Sequence, residues 1–493
     1  MQQLTPLDSY FYHAETPNQP MIIAGLWICD QSQVPKGIVR HKEILQYIGD
    51  KLNTTSMFRR RLQRAPLGLD DPYWLEDENF DLEYHVRHVG LPQPGDWRQL
   101  CIFTARLMSR TMDMERAPWE LYIVEGLNNV EGVPEGSFAV ILRLHHAYAD
   151  GKAGVELNMA LLEETASHEY GRRDRVEYVQ RAPTKVEMWS RTAPRMLSQG
   201  YRSFKAGCTV ATKSLELYTR LQRESRPDQS RAPHTIFNVP ISPHRTYGVL
   251  TWKFRDLTAV RKLAEGVTLN DVIVSIIAGG MRRYLQKHDA LPDSESLVAM
   301  CPVAMRPEAA QKDTGNLVSS MYIAVGTDIE DPLERLELVC QRTRRGVPLA
   351  RDVVKELSDN ALEMMPAYMR QATLWGMGKL RTFSKLSLFN TIITNVPGPV
   401  GMQTKHFAGA PLVNAFPLVP IADGVAVSHG ISGLYDLVNL GVLADRAVIS
   451  DMDFYIQCME DSTREYLQQV QRQKDNNVSQ AEIAKTTEAE TTA

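Results

Sequence analysis

Apolar positions along the chain alternate between short continuous runs and longer stretches in which they recur every three or four residues, as expected of strands interleaved with helices. Met21 to Cys29 reads as a first strand, reached through a loop containing Pro6-Leu7-Asp8 and Thr16-Pro17. His41 to Leu52 reads as a helix. Gly95 to Met114 does too, with Trp97, Leu100, Phe103, Leu107 and Met112 near one face as ordinary core. The apolar run Phe138 to Leu142 is strand-like and is followed, after a short polar stretch, by a helix-like run from Lys152 to Ala166. From Phe237 onward the alternation repeats. A long helix is expected from Gly266 to about Leu285, with Thr268 and Asp271 at capping-box spacing. A helical region follows from Val354 to Leu380, interrupted at Pro366, then two or three strands between Gly424 and Asp451 and a helix near Asp461 to Gln471. The polar stretch from about Lys474 to Ala493 holds too few apolar residues to order itself.

Composition narrows the class only a little. The 493 residues leave room for two or three domains, and 43% hydrophobic with 23% charged residues is ordinary for a globular chain. A net charge of -4 gives no reason to expect nucleic-acid binding. Six cysteines, far apart and without a Cys-x-x-Cys, argue against a structural zinc site and for reduced thiols. No basic segment followed by an apolar core opens the chain, so a cytoplasmic protein is expected. The uncharged stretches Leu386 to Thr404 and Phe407 to Ala422 are broken by prolines. Contact with a membrane is therefore expected to be peripheral, at the inner leaflet or at lipid inclusions. Charge is concentrated in Gly171 to Arg231, with 14 Lys/Arg against 6 Asp/Glu; this reads as a solvated bridge between domains or as a face for anionic lipid or coenzyme phosphates.

Candidate chemistry centres on Leu144-His145-His146-Ala147-Tyr148-Ala149-Asp150-Gly151, where a strand gives way to a helix. A neutral imidazole takes and returns a proton near pH 7, and Asp150 is placed to cap the helix or hold a neighbour. No Gly-x-Ser-x-Gly elbow and no recognisable cysteine pattern marks a nucleophile, which favours a histidine acting directly on a bound hydroxyl. Taken bare, the same residues also fit two satisfied loop histidines. His85 and His88 have a ligand-like spacing, yet a strand would point them to opposite faces and no partner is evident, so no metal site is expected. Met364, Met365, Met369 and Met377 fit either ordinary core or the lining of an alkyl-chain tunnel.

His145-His146-x-x-x-Asp150-Gly151 is similar to the signature of the coenzyme A-dependent acyltransferase superfamily, which includes chloramphenicol acetyltransferase, carnitine acyltransferases and peptide-synthetase condensation domains. Other segments resemble one branch, the bacterial wax ester synthase/acyl-CoA:diacylglycerol acyltransferases. These are Pro6-Leu7-Asp8, Tyr84 to His88 with Leu91 to Gly95, Asn270-Asp271, Val298 to Arg306, Thr314-Gly315-Asn316 and Asn395-Val396-Pro397-Gly398-Pro399. Two segments depart from it: Ala117-Pro118-Trp119-Glu120 lacks the usual Leu, and Gly433-Leu434-Tyr435-Asp436 replaces a Ser-Tyr-Asn-Gly turn.

The resemblance implies two chloramphenicol acetyltransferase-like α/β domains, each a mixed sheet flanked by helices, with the active site in a tunnel between them. Its implied boundaries are an N-terminal domain over 1–170, a basic bridge over 171–235, a C-terminal domain over 236–472 and a disordered tail over 473–493. The implied reaction moves a long-chain acyl group from acyl-CoA, as co-substrate and without further cofactor, to a fatty alcohol or to diacylglycerol. His146 would be the general base, with no covalent acyl-enzyme. His145, Asp150 and Gly151 would support the motif, and Asn270 would face the oxyanion unless it only accompanies the helix cap. Arg306 would be structural, with Asp150 a candidate partner. A condensation-type enzyme with another acceptor, and a lipid-binding protein without turnover, are the alternatives.

Overall fold

The computed structural model describes residues 2–34, 37–52, 57–148, 160–166, 183–184, 186–195, 232–303, 319–358, 366–380, 382–396 and 403–491. Asp150, Gly151, Arg306, Thr314 to Asn316 and Pro397 to Pro399 lie outside them, as does most of the basic segment.

Two six-stranded mixed sheets form the frame. In the first, β2 (Ile22–Cys29), β7 (Ser137–His145) and β6 (Trp119–Leu127) pair antiparallel, and β5 (Val86–Gly90) adds parallel to β6. Residues of β7 alternate between two cores, as period-two geometry requires. Phe138, Val140, Leu142 and Leu144 join Trp27, Leu121 and the inner face of the His41–Leu52 helix. Ala139 and Ile141 join Leu26, Tyr122 and the Trp97–Met108 helix. That helix buries Leu100 and Leu107 with Trp97, Phe103 and Met112 beside them, the face that its periodicity predicts. A small sheet of β1 (Gln2–Gln3), β4 (Tyr73–Glu76) and β3 (Arg60–Gln63) lies outside this frame.

The second sheet runs β10 (Ser319–Ala324), β9 (Val298–Val303), β11 (Thr391–Val396), β14 (Val427–Leu434), β15 (Leu437–Asp445) and β8 (Arg245–Lys253). The helices Leu269–Lys287, Pro332–Ser358 and Met452–Thr491 bear on its core. Thr268 and Asp271 form the expected capping box: Oγ1 of Thr268 accepts from the Asp271 amide at 3.2 Å, and Oδ2 of Asp271 accepts from the Thr268 amide at 2.8 Å. The final helix runs through Thr491, past the point where the sequence reading leaves a polar tail. Gln, Glu, Lys and Ala are good helix formers, and extending a helix already nucleated on a core costs little.

The halves are not separate in sequence. β12 (His406–Phe407) and β13 (Ala410–Leu418), from the C-terminal half, complete the first sheet by pairing β13 antiparallel to β2. β13 also crosses β14 and β15, where the cross-strand pair Gly430 and Gly441 leaves room for it. A Cβ on Gly441 would lie 2.2 Å from the Pro417 carbonyl oxygen and 2.7 Å from the Tyr247 hydroxyl. Because the first obstacle is backbone, Gly441→Ala is expected to cost about 1 to 3 kcal/mol, measured as a lower midpoint of thermal unfolding. An unchanged midpoint would mean that the strap is free to shift.

The largest departure from the sequence reading is at the start. Pro6-Leu7-Asp8 begins a helix, Pro6–Ala14, and not a loop. Thr5 is its N-cap, with Oγ1 accepting from the Asp8 amide at 3.1 Å and donating to Asp8 Oδ2 at 2.6 Å, and Pro6 sits in the first turn, where its missing N–H costs nothing.

Candidate active site

The motif histidines stand at the end of the central strand of the first sheet, held from both sides. His145 pairs with Ile22 across β2, and Leu144 with Trp119 across β6. Beyond the ladder, the His145 amide donates to the Pro118 carbonyl at 3.0 Å, and the His146 amide donates to the Met21 carbonyl at 2.7 Å. A residue so clamped has its place fixed by the sheet.

One step back, Arg143 and Glu120 face each other across the same two strands and form a buried ion pair. Arg143 also donates to the Arg110 carbonyl at 2.6 Å, and Tyr122 Oη donates to Glu120 Oε2 at 3.0 Å. Trp119 is fully buried and donates from Nε1 to the Phe58 carbonyl at 2.7 Å. The Trp-Glu dipeptide therefore anchors the strand that flanks the motif, despite the missing Leu.

His145 is completely buried. Its Nδ1 accepts from the Ala147 amide at 3.1 Å, so the ring proton belongs on Nε2, which lies 3.4 Å from Glu15 Oε2. The same Glu15 oxygen accepts from the Met21 amide at 3.0 Å. Glu15 thus touches both the second histidine's neighbour and the start of β2.

His146 presents its ring differently. It stacks on Phe11, with centroids 3.7 Å apart and planes 16° from parallel. Burial, with a smaller push from His145, lowers its pKa to about 4, and its own backbone carbonyl pulls the other way. Nδ1 is sealed from solvent and, among the described residues, has no hydrogen-bond partner of normal geometry. At neutral pH the ring is an uncharged base. Phe11 and Tyr12, from the N-terminal helix, pack with Ala147 and Met114 next to it.

A cavity of about 540 Å³ opens beside these residues, lined by Tyr12, His13, Glu15, Arg64, Asp70 and Gln371 among others. It reaches Glu15, beside His145 Nε2, while neither motif histidine is among its described lining residues.

Other predicted residues lie apart. Asn270, the second residue of the Leu269–Lys287 helix, is half-buried, and no described contact joins it to His146. His85 ends a single helical turn, Leu82–His85, instead of lying in a strand; its Nδ1 meets the Trp119 carbonyl at 2.8 Å. His88, in β5, pairs with Glu125 at 3.0 Å and stacks on His41. Met369 is exposed and Met377 half-buried, so neither is core, while Met364 and Met365 lie outside the described residues. The five described cysteines are buried and unpaired, and burial raises Cys101 and Cys301 to about 12, far from thiolate at neutral pH. Phe11 and Glu15 were not legible as site residues; the Thr5, Pro6 and Asp8 capping pattern was the signal that could have led to their helix.

Comparison with known proteins places this geometry. Residues 4–273 match the model of the wax ester synthase/diacylglycerol acyltransferase catalytic domain, and residues 314–466 that of the WS/DGAT C-terminal domain. The O-acyltransferase WSD of Acinetobacter baylyi is 29% identical over 490 residues, covering 96% of this chain and 99% of its own. The wax ester synthase/diacylglycerol acyltransferase of Marinobacter aquaeolei superposes with a TM-score of 0.67 at 25% identity, over 95% of this chain and all of that one. A starter condensation domain of rhizomide synthetase, 11% identical with a TM-score of 0.51 and covering 95% and 94% of the two chains, shares the two-domain fold. Since the catalytic-domain match alone spans more than half of the chain, the protein belongs to the wax ester synthase/diacylglycerol acyltransferase family and is an acyltransferase.

Proposed function

We propose that the protein transfers a long-chain acyl group from acyl-CoA to the hydroxyl of a fatty alcohol or of diacylglycerol, with His146 as general base and no covalent acyl-enzyme. The observation that carries this reading is the neutral, half-buried imidazole stacked on Phe11 at the end of β7. With Nδ1 sealed away, Nε2 is the nitrogen left to meet substrate. It takes the hydroxyl proton as oxygen attacks the thioester carbonyl, and returns it to the departing thiolate. Negative charge developing on the substrate oxygens raises the ring's proton affinity as transfer begins, which offsets its low resting basicity.

In this reading Asp150 holds the loop, Gly151 lets it turn, and His145 keeps the motif in register. Asn270 is the donor we assign to the oxyanion, a contribution of order 3 kcal/mol when such a donor is aligned. No metal or further cofactor takes part. Among the described residues no helix is long and apolar enough to cross a membrane, so we also assign any lipid contact to the protein surface.

The test is an assay of purified protein with palmitoyl-CoA, offering hexadecanol and dipalmitoylglycerol separately and following free thiol and ester together. Ester from either acceptor supports the reading. Thiol without ester, or palmitoyl-CoA bound with no turnover, removes it in favour of another acceptor or a binding protein.

The lowered pKa adds a second expectation. A base that protonates only near pH 4 stays neutral well below the pH at which an ordinary histidine becomes charged. The acid limb of kcat/KM is therefore expected below about pH 5, with a flat profile from there to about pH 8. A limb near 6.5 would mean that the free enzyme exposes this ring to water.

A further inference from the structure

Large apolar side chains left in solvent are unevenly distributed. Met369, Trp375, Leu380 and Leu386, four of the ten exposed ones among the described residues, fall within 367–386, on the Ala367–Lys379 and Thr382–Leu386 helices. Trp375 is 70% exposed and Leu380 67%. Two further members border the same place. Gln371 donates to the Gly68 carbonyl at 2.9 Å, which sets the helix against the Pro66–Gly68 turn and its Leu67, itself 83% exposed. Met188, from the helical segment 186–195, packs with Ala65 and Tyr73 on the other side of that turn and leaves Val186 and Trp189 outward.

The charge of this face has one sign along its main helices. Residues 367–386 hold Arg370, Lys379, Arg381 and Lys385 and no Asp or Glu. Arg370 is turned inward onto Asp71, donating to Oδ1 at 2.6 Å, so it anchors the helix to the N-terminal half. Lys379 lies over the Trp375 ring, 5.8 Å from its centroid, one turn further out on the stripe that starts at Gln371. An aromatic and aliphatic surface whose main helices carry only cations, with the exposed Glu187 of the adjoining segment tied to Thr184, fits a layer of anionic headgroups over hydrocarbon.

The cavity adjoins both this face and a neighbour of the motif. Ala65, Gly68 and Gln371 lie in its lining, as does Glu15, which is 3.4 Å from His145 Nε2; the motif histidines themselves are not among its described lining residues. Glu15, Asp70, Asp113 and Glu115 against His13 and Arg64 give that lining an acidic balance. Such a lining repels the phosphates of coenzyme A and does not repel an uncharged alcohol or glycerolipid.

We propose that the Ala367–Lys379 helix, with Leu67 and Trp189, docks on an anionic phospholipid surface and that the adjoining cavity admits the uncharged acyl acceptor from it. The acceptor route rests on the acyltransfer reading above; the docking does not.

The experiment uses the full chain, wild type and two variants, Trp375→Ser/Leu380→Ser and Lys379→Glu/Lys385→Glu. Flotation with phosphatidylcholine vesicles, with and without phosphatidylglycerol, reads docking. Thiol release from palmitoyl-CoA, with hexadecanol in those vesicles or dissolved 1-hexanol, reads the route. Wild type is expected to float with the anionic vesicles only, and each variant to lose about tenfold or more of that binding. Turnover of vesicle-borne hexadecanol should fall with it, while hexanol turnover stays. Equal flotation of all three proteins, or no flotation of wild type, overturns the docking. A wild-type dimer that the serine variant dissolves, without flotation, overturns it by assigning the face to a second copy. Flotation lost with both alcohols still used as before overturns the route. No turnover of either alcohol by wild type defeats the acyltransfer reading and leaves the flotation result standing.

Discussion

His146→Ala is expected to fold and to lose about 10²- to 10⁴-fold of its acyl-transfer rate, the range of a general base acting on a weakly acidic hydroxyl. The fold should survive because what holds the residue in place is backbone: the His146 amide donates to Met21, and the adjoining His145 amide donates to Pro118. The described packing of the ring is its stack on Phe11. His145→Ala makes the contrast. It empties a completely buried position and leaves the Ala147 amide without its acceptor, so its first effect should be on stability, by about 2 to 4 kcal/mol. Thiol release and a thermal melt on both variants separate the two roles. If His146→Ala kept near-normal turnover in folded protein, the base would have to be another group.

What the sequence showed of this site was its centre. A strand buried on both faces reads as a continuous apolar run, so Phe138 to Leu142 announced β7 and pointed to the histidine pair just beyond it. The cap of the Leu269–Lys287 helix was legible because it is local, spanning Thr268 to Asp271. The Pro6–Ala14 helix was equally local in its signals but is short and carries Tyr10, Phe11, Tyr12 and His13, which spread apolar and polar character around it and blur the periodicity. Missing it hid Phe11, on which the His146 ring stacks, and Glu15, which lies beside His145.

Other features were not legible because they are not local. The pairing of β13 with β2 joins residues nearly four hundred positions apart, and no pattern within Ala410–Leu418 specifies its partner. A boundary near residue 236 divides the chain in sequence, but β13, from beyond it, is a strand of the first sheet and packs across β14 and β15 of the second. The Gly433 to Asp436 turn is built on Tyr435, which adopts a φ of 56° in the left-handed region. Its hydroxyl accepts from the Lys405 amide at 2.8 Å, and its ring packs on the N-terminal core. The departure from the family turn therefore coincides with a contact between the halves.

The second large effect is expected where the strand end is braced. Glu120→Leu leaves the Arg143 guanidinium buried without its carboxylate, and a charge stranded in that way typically costs about 3 to 5 kcal/mol. Little else compensates it: the Arg110 carbonyl takes one donor, and Nε has no partner. Arg87, 3.5 Å from the other Glu120 oxygen, loses its contact too, but it is partly exposed and water replaces the carboxylate. The midpoint of thermal unfolding should fall by roughly 10 °C, given about 2 to 4 °C per kcal/mol for units of this size. Glu120→Leu with Arg143→Met removes both charges and should recover most of the loss, because the pair contributes less to stability than its broken half destroys. Activity distinguishes bracing from mere stability. Arg143 lies two residues from His145 on the same face of β7, so the apolar pair should restore turnover along with the melt if sheet position is all that the ion pair supplies. Restored stability with turnover still depressed would show that the charged pair also sets the angle at which the motif leaves the strand.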